Sequence, residues 1–331
     1  MTIKYNNVYL KNTSLVVGPY EKDGPYAKYF DLKYAKDMYF GEKSFELAEV
    51  KLLKDSINLL LKKSKLSFKD IDVGISGDLQ NQIAASDYAY RDIDIPFLGV
   101  YNACATCAEA ILIASNFIDG GKFKNIICSV SSHNMVAEKQ FRNPTEYGSP
   151  KPKSTTFTAT GAVSLLLTSE KSDIKVESAT IGKVTDLGIA DVNNMGAIMA
   201  PGAASVIKNH LDDLNRSADY YDLIITGDLG IYGKEILTEY MKTSYNIDIS
   251  KNYDDSGTML YDLEKEKNVH AGGSGPVCSA LIDFGYIYKL MKEKKLKKVL
   301  IVPTGAIFSP TMVFQRQTIP SIAHAISLEA I

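Results

Sequence analysis

The chain has 331 residues, 45% of them hydrophobic and 23% charged, which is enough apolar length to bury a sizeable core in one large domain or two packed halves. Its 37 Lys and Arg nearly balance 39 Asp and Glu, for a net charge of −2, and this argues against a dedicated nucleic-acid binder. No apolar run reaches the ~18–20 residues of a membrane-spanning helix, so any membrane association is expected to be peripheral.

The opening residues 1–7 lack the apolar stretch of a secretory signal, so a reduced, cytosolic setting is expected. The four cysteines, Cys104, Cys107, Cys128 and Cys278, are then expected to be free thiols. Cys104 and Cys107 make a C-x-x-C, but no second pair or neighbouring His supports zinc, and no metal site is assigned. Twenty Tyr and no Trp are scattered through the chain, suiting core edges or an aromatic ligand.

In chain order, residues 44–63 form an amphipathic helix, with Leu53, Ile57, Leu60 and Leu61 on one side and lysines on the other. Asp72-Val-Gly-Ile-Ser76 is a short buried strand, followed by a second helix over 80–91 and a second strand over 95–100. A strongly apolar helix covers 104–118 and stops at Gly120-Gly121; a third strand covers 125–130. Strands alternating with helices predict an α/β sheet covered by helices. Residues 132–155 read as a long polar loop, a feature more often functional than not. A strand follows over 156–168, with Gly161 inside it as a bulge or a close backbone approach.

The second half repeats the first. Asp222-Leu-Ile-Ile-Thr-Gly-Asp-Leu229 matches Asp72-Val-Gly-Ile-Ser-Gly-Asp-Leu79 almost position for position. A helix over 278–295 and a strand over 298–303 echo the earlier helix and strand. Two duplicated α/β halves, 1–170 and 171–331, therefore meet at the polar stretch 169–173. A ligand belongs in the crevice between them.

Cys104 stands between an apolar strand and an apolar helix in Tyr101-Asn-Ala-Cys-Ala-Thr-Cys-Ala-Glu109. A thiol at a helix N-terminus faces the positive end of the dipole, which favours thiolate; a small buried core residue is the competing reading. Asp78 and Asp228 are the duplicated acids. Each is a candidate N-cap for the following helix, or a pocket carboxylate for a protonated ligand or a hard cation. Asp78 is the favoured pocket residue, because Gln80, Asn81 and Gln82 follow it as potential donors. The run Lys292-Glu-Lys-Lys-Leu-Lys-Lys298 reads as a solvated helix end.

These stretches carry a resemblance. Asn102-Ala-Cys-Ala105 before an apolar helix is similar to the nucleophile turn of thiolases and ketoacyl synthases. Thr158-Ala-Thr-Gly-Ala-Val-Ser-Leu-Leu166 and His270-Ala-Gly-Gly-Ser-Gly-Pro-Val-Cys-Ser-Ala280 resemble their Gly-rich strand and late Gly-rich turn. The resemblance implies a thiolase-like αβαβα five-layer α/β fold from two duplicated halves, and a homodimer. Across nearly the whole chain the sequence more closely resembles the stage V sporulation protein AD family. The segments are Val17-Gly-Pro-Tyr-Glu-Lys-Asp-Gly-Pro25 with Phe30-Asp31, Gly77-Asp-Leu-Gln-Asn-Gln82, Ile95-Pro-Phe-Leu-Gly99, Ser131-Ser-His-Asn134, Glu138-Lys-Gln-Phe-Arg142 and Pro144-Thr-Glu-Tyr-Gly148.

That resemblance implies sporulation, binding of dipicolinic acid during its uptake into the developing spore, and a role connected with germination. It also implies partnership with SpoVA membrane proteins at the inner spore membrane. It implies no cofactor, with calcium able to accompany the ligand. Two departures from active condensing enzymes imply lost turnover. The stretch Ile225-Thr-Gly-Asp-Leu229 has no His where the resemblance expects one, and Ser274 stands near the place of an expected Asn. A missing donor of this kind costs about 10²–10³ in rate. The expected ligand-binding set is Cys104 (a vestigial nucleophile), Asp78, Asn81, Ser132, His133, Arg142, Asp228, His270 and Ser274, with His270 as an alternative base. The resemblance puts the 132–155 loop, with His133, over the Cys104 pocket. Arg142 or Lys139 would pair with a ligand carboxylate, and Phe141 or Tyr147 would stack on its ring. The competing activity is acyl transfer through a Cys104 thioester; a third reading is a purely structural partner of the membrane proteins.

Overall fold

Each half of the chain opens its sheet with the same device. Asp72 Oδ2 accepts hydrogen bonds from the Lys124 and Asn125 N–H groups at 2.7 and 2.8 Å, and Asp222 Oδ2 accepts from Lys297 and Lys298 at 2.6 and 2.9 Å. In both halves an acid at the foot of one strand ties down the start of its neighbour. The computed structural model describes residues 1–142 and 151–331, with Arg142 contributing backbone alone.

Among the described residues the main sheet path holds ten strands, with the short Thr2–Lys4 and Leu32–Lys33 paired at its side: β1 (Tyr9–Val17), β2 (Val73–Gly77), β3 (Phe97–Gly99), β4 (Asn125–Ser132), β5 (Gly161–Thr168), β6 (Ile174–Thr180), β7 (Leu223–Thr226), β8 (Tyr253–Asp255), β9 (Lys298–Val302) and β10 (Ala325–Ala330). The first five run side by side as β1-β5-β4-β2-β3, and the last five as β6-β10-β9-β7-β8. The pairing senses match as well. β1–β5 and β5–β4 are antiparallel, β4–β2 and β2–β3 parallel. β6–β10 and β10–β9 are antiparallel, β9–β7 and β7–β8 parallel. A short pairing of Tyr9 and Leu10 with Lys175 and Ile174 joins the two groups.

Helices α1 (Phe45–Ser64) and α2 (Ala84–Arg91) cover the outer face of the first sheet; α4 (Met195–Leu214) and α5 (Gly230–Tyr245) cover that of the second. Between the sheets lie α3 (Thr106–Asp119) and α6 (Pro276–Leu281), the latter continued by a π turn over Ile282–Ile287. Three apolar cores, two outer and one central, thus separate five layers. The α/β thiolase-like αβαβα architecture is present.

Local chemistry explains the elements. Ser44 Oγ accepts from Leu47 N at 3.2 Å to start α1, and Lys65 ends it in the left-handed conformation. Leu52, Leu53, Ile57 and Leu60 are fully buried along α1, each contributing about 1.5–3 kcal/mol. α4 follows the same length and ends at left-handed Asn215. All four cysteines are free, and no helix of the described residues is long and apolar enough to cross a membrane.

Candidate functional site

Two small sheets outside the main system close the crevice. Phe157–Thr158 pairs in parallel with Gly273–Ser274, and Thr304–Ala306 pairs with Ser321–Ala323. They carry Thr158, Ser274 and Ala306 to a cleft of about 710 Å³ of non-atom space, its mouth included. Cys104 enters from the 3₁₀ turn Ala103–Ala105 that leads into α3. Ala103 has φ +48°, a left-handed conformation that costs a residue with a side chain energy and is tolerated where the surroundings hold it. Gly305 packs directly on this turn. A Cβ there would lie 2.6 Å from Asn102 O and 3.3 Å from Cys104 N, so only glycine permits the approach.

Behind Cys104 stands Asp228, completely buried. Its Oδ2 accepts from Ser274 Oγ at 3.2 Å and from Gly275 N at 3.3 Å, while Oδ1 has no hydrogen-bond partner among the described residues. Burial pushes the Asp228 carboxyl up to about 7. Burial first, and then the adjacent Asp228 carboxyl, push the Cys104 thiol well above its ordinary value. The helix-end reading of Cys104 as a ready thiolate is therefore corrected: desolvation and a neighbouring acid outweigh the helix end.

Apart from Asn193, the rest of the cleft is apolar and aromatic. Tyr101, Phe141 and Phe308 line it, the Phe141 and Phe308 rings lying 6.0 Å apart, with Met195 and Met199 from α4. No Lys or Arg of the described residues lines it. A second cleft, lined by Gln80, Asn81, Ile307 and Pro310, shares Tyr101, Phe141 and Phe308 with the first.

The expected site residues divide. Cys104, Ser274 and Phe141 line the cleft, and Asp228 backs it. Ser132 lies just beneath: its Oγ donates to Ala159 O at 2.7 Å and would be 3.2 Å from a Cβ on Gly275. Asn81 belongs to the second cleft, with its N–H on Gln140 Oε1 at 3.1 Å. Asp78 does not line the cleft. Its oxygens accept from Gln80 N and Ser86 N, both at 2.8 Å, so it serves the first turn of α2 from outside the N-cap position, which Ile83 holds. His133 points away, its Nε2 2.9 Å from Met38 O and its ring against Phe40 and Phe45; burial holds it down to about 4, hence neutral. His270 is half-buried and absent from the cleft wall. Lys139 pairs with Glu46 at 2.7 Å. The Arg142 side chain, Tyr147 and the segment 144–148 lie outside the described residues.

Sequence reasoning missed several neighbours. Asp255, from β8, accepts from Leu229 N and Gly230 N at 3.0 and 2.9 Å and so caps the start of α5 in place of Asp228. His324 bridges Asn102 Nδ2, 2.8 Å from its Nε2, and Gly182 N, which donates to Nδ1 at 3.2 Å. The Gly182 N–H makes Nδ1 an acceptor, so the ring proton sits on Nε2, facing the Asn102 side-chain amide. His324 thereby steadies the residue before the strained Ala103. Nothing local in the sequence marks either residue, since both reach the site from distant parts of the chain.

The family model for stage V sporulation protein AD matches residues 1–329. Stage V sporulation protein AD of Bacillus subtilis (strain 168) is 44% identical over 322 residues, 97% of this chain and 94% of that protein. Among solved structures, the fold is similar to 3-oxoacyl-[acyl-carrier-protein] synthase III from Aquifex aeolicus VF5, with TM-score 0.56, 13% identity, and 97% and 99% of the two chains covered. It is also similar to an OleA variant from Xanthomonas campestris, with TM-score 0.62, 11% identity, and 98% and 99% covered. The two structural likenesses establish the scaffold; the matches along the sequence establish that the chain belongs to the stage V sporulation protein AD family, a sporulation family on a thiolase-like fold.

Proposed function

We propose that this chain binds dipicolinic acid in the Cys104 cleft and serves its uptake into the developing spore without turning a substrate over. The observation that carries the reading is the pairing of Cys104 with Asp228 and Ser274 in a thiolase-like crevice. Condensation needs donors for a developing enolate, and no histidine of the described residues lines the cleft. The thiol is also held in its unreactive form. What remains is a shaped, aromatic-walled cleft, and the faces of Tyr101, Phe141 and Phe308 suit a flat pyridine ring. Family membership supports the sporulation context. Docking on SpoVA membrane proteins at the inner spore membrane, homodimer formation, and calcium carried with the ligand belong to the same proposal.

Calorimetry with dipicolinate and its positional isomers tests it: saturable binding that prefers dipicolinate is expected, and silence at millimolar ligand rejects it. A second reading, acyl transfer through Cys104, is favoured by the strained turn that presents the sulfur to the cleft. Intact-mass measurement after incubation with acyl-CoAs decides between them, since an acyl adduct lost in Cys104→Ala would establish transfer.

A further inference from the structure

We infer that the cleft takes up one proton together with its anionic ligand, and that Asp228 receives it. This rests on the binding reading of the same cleft and adds how an acidic ligand is tolerated there. Three observations carry it.

The first is placement. Asp228 touches Ser274, which shares the cleft wall with Cys104, and its Oδ1 is buried without a hydrogen-bond partner among the described residues. A buried ionised oxygen with no donor is costly, and protonation relieves it.

The second is release from structural duty. The duplicated Asp78 spends both oxygens on backbone N–H groups. In the second half Asp255 supplies the equivalent service to Leu229 and Gly230. Asp228 is thereby free of capping α5, and its Oδ2 contacts to Ser274 Oγ and Gly275 N are ones that the carbonyl oxygen of a neutral acid also accepts.

The third is the lack of a countercharge. Among the described residues no ion pair involves Asp228, and no Lys or Arg lines the cleft. Among the described residues, the titratable groups facing Asp228 are the Cys104 thiol from the 3₁₀ turn, the Cys278 thiol from α6 and the Asp255 carboxyl from β8. None is a cation. A carboxylate ligand entering the cleft meets a like charge in a low-dielectric wall unless Asp228 is neutral.

The sign follows from these surroundings. With the carboxyl pushed up to about 7 in the free protein, a bound anion raises it further. Ligand binding then draws a proton from solvent near neutral pH, converting the Asp228 carboxylate to the acid. Affinity falls as pH rises past about 7, approaching ~10-fold per unit. Glu21 and Glu49, also pushed into this range, do not line the cleft and so titrate alike in free and bound protein.

The test is calorimetry of the full chain with dipicolinate between pH 6 and 8, with a calcium chelator, in buffers of different ionisation heat. The wild type is expected to take up close to one proton at the upper end of the range and to bind ~5-fold more weakly at pH 8 than at pH 7. Asp228→Asn, neutral throughout, is expected to bind with no proton uptake and equally at both ends of the range. A buffer-independent enthalpy in the wild type, or a pH dependence that survives Asp228→Asn, overturns the inference and leaves the binding proposal standing. Binding that needs calcium and takes up no proton overturns it too, in favour of a bridging cation. Absence of binding at every pH, with and without calcium, removes both proposals. Should Asp228→Asn fail to fold, the wild-type buffer series alone decides.

Discussion

Asp78 and Asp228 occupy the same place in the two halves, each after a buried strand and a glycine, yet they do opposite work. Asp78 is a structural acid whose carboxylate holds two N–H groups at 2.8 Å. Asp228 turns from its helix to Cys104 and Ser274, and one of its oxygens is unpaired among the described residues. The difference is made elsewhere, by Asp255, which caps α5 from β8. A duplicated fold can specialise one copy of a residue once a neighbour takes over its structural role.

The comparison breaks or sharpens first at the glycines beside these acids. A Cβ on Gly77 would lie 2.0 Å from Val100 O, a backbone atom that cannot step aside. At Gly227 the nearest atoms, Ser279 Cβ and Pro303 Cα, are 3.1 and 3.2 Å away. Gly77→Ala is expected to cost about 3 kcal/mol or more in urea unfolding, and Gly227→Ala about 1 kcal/mol. Equal costs would mean that the halves are packed alike at this point. Next come the acids themselves. Asp78→Ala strips two buried donors of their acceptor and should cost about 2 kcal/mol. Asp228→Asn should change stability at pH 7 by less than about 1 kcal/mol, because α5 is capped by Asp255 and the amide oxygen can still accept from Ser274 and Gly275.

The pH dependence is of similar size but confined to one group. Asp228 is pushed up to about 7 by burial, so its share of stability is full below the ordinary aspartate range and is lost as pH rises through about 7. Wild type minus Asp228→Asn should therefore shrink by about 1.4 kcal/mol per pH unit between pH 5 and 7, read from urea midpoints. His133, His210 and His324, held down to about 4 by burial, act in the opposite sense as pH falls from 6.5 through 4, and they cancel in this difference. The smallest effect is kinetic. Alkylation of Cys104 should be slower than that of a free thiol and should quicken about 2–10-fold in Asp228→Asn, as the neighbouring charge is removed. A rate untouched by the change would separate the sulfur from the acid.

Much of this molecule can be read along the chain. The leucine spacing of α1, the repeated strand-Gly-Asp-Leu segments and the Gly-rich turns are local patterns, because they reflect helix and strand periodicity and backbone shape. They suffice for two α/β halves and for Cys104, Asp228 and Ser274 as residues to watch. α4 escaped because Gly196, Pro201, Gly202 and four alanines blur its periodicity, although packing between layers holds it helical. The assignment of roles was not legible. Whether Asp78 or Asp228 faces the cleft depends on Asp255, 27 residues beyond Asp228. Whether His133 or His270 reaches the sulfur depends on which way a loop turns, and His324 serves the turn from near the other end of the chain. Periodicity and backbone shape act over a few residues and are written in order; burial and hydrogen-bond supply are settled only where distant strands meet, and they decide which acid is left with an unpaired oxygen.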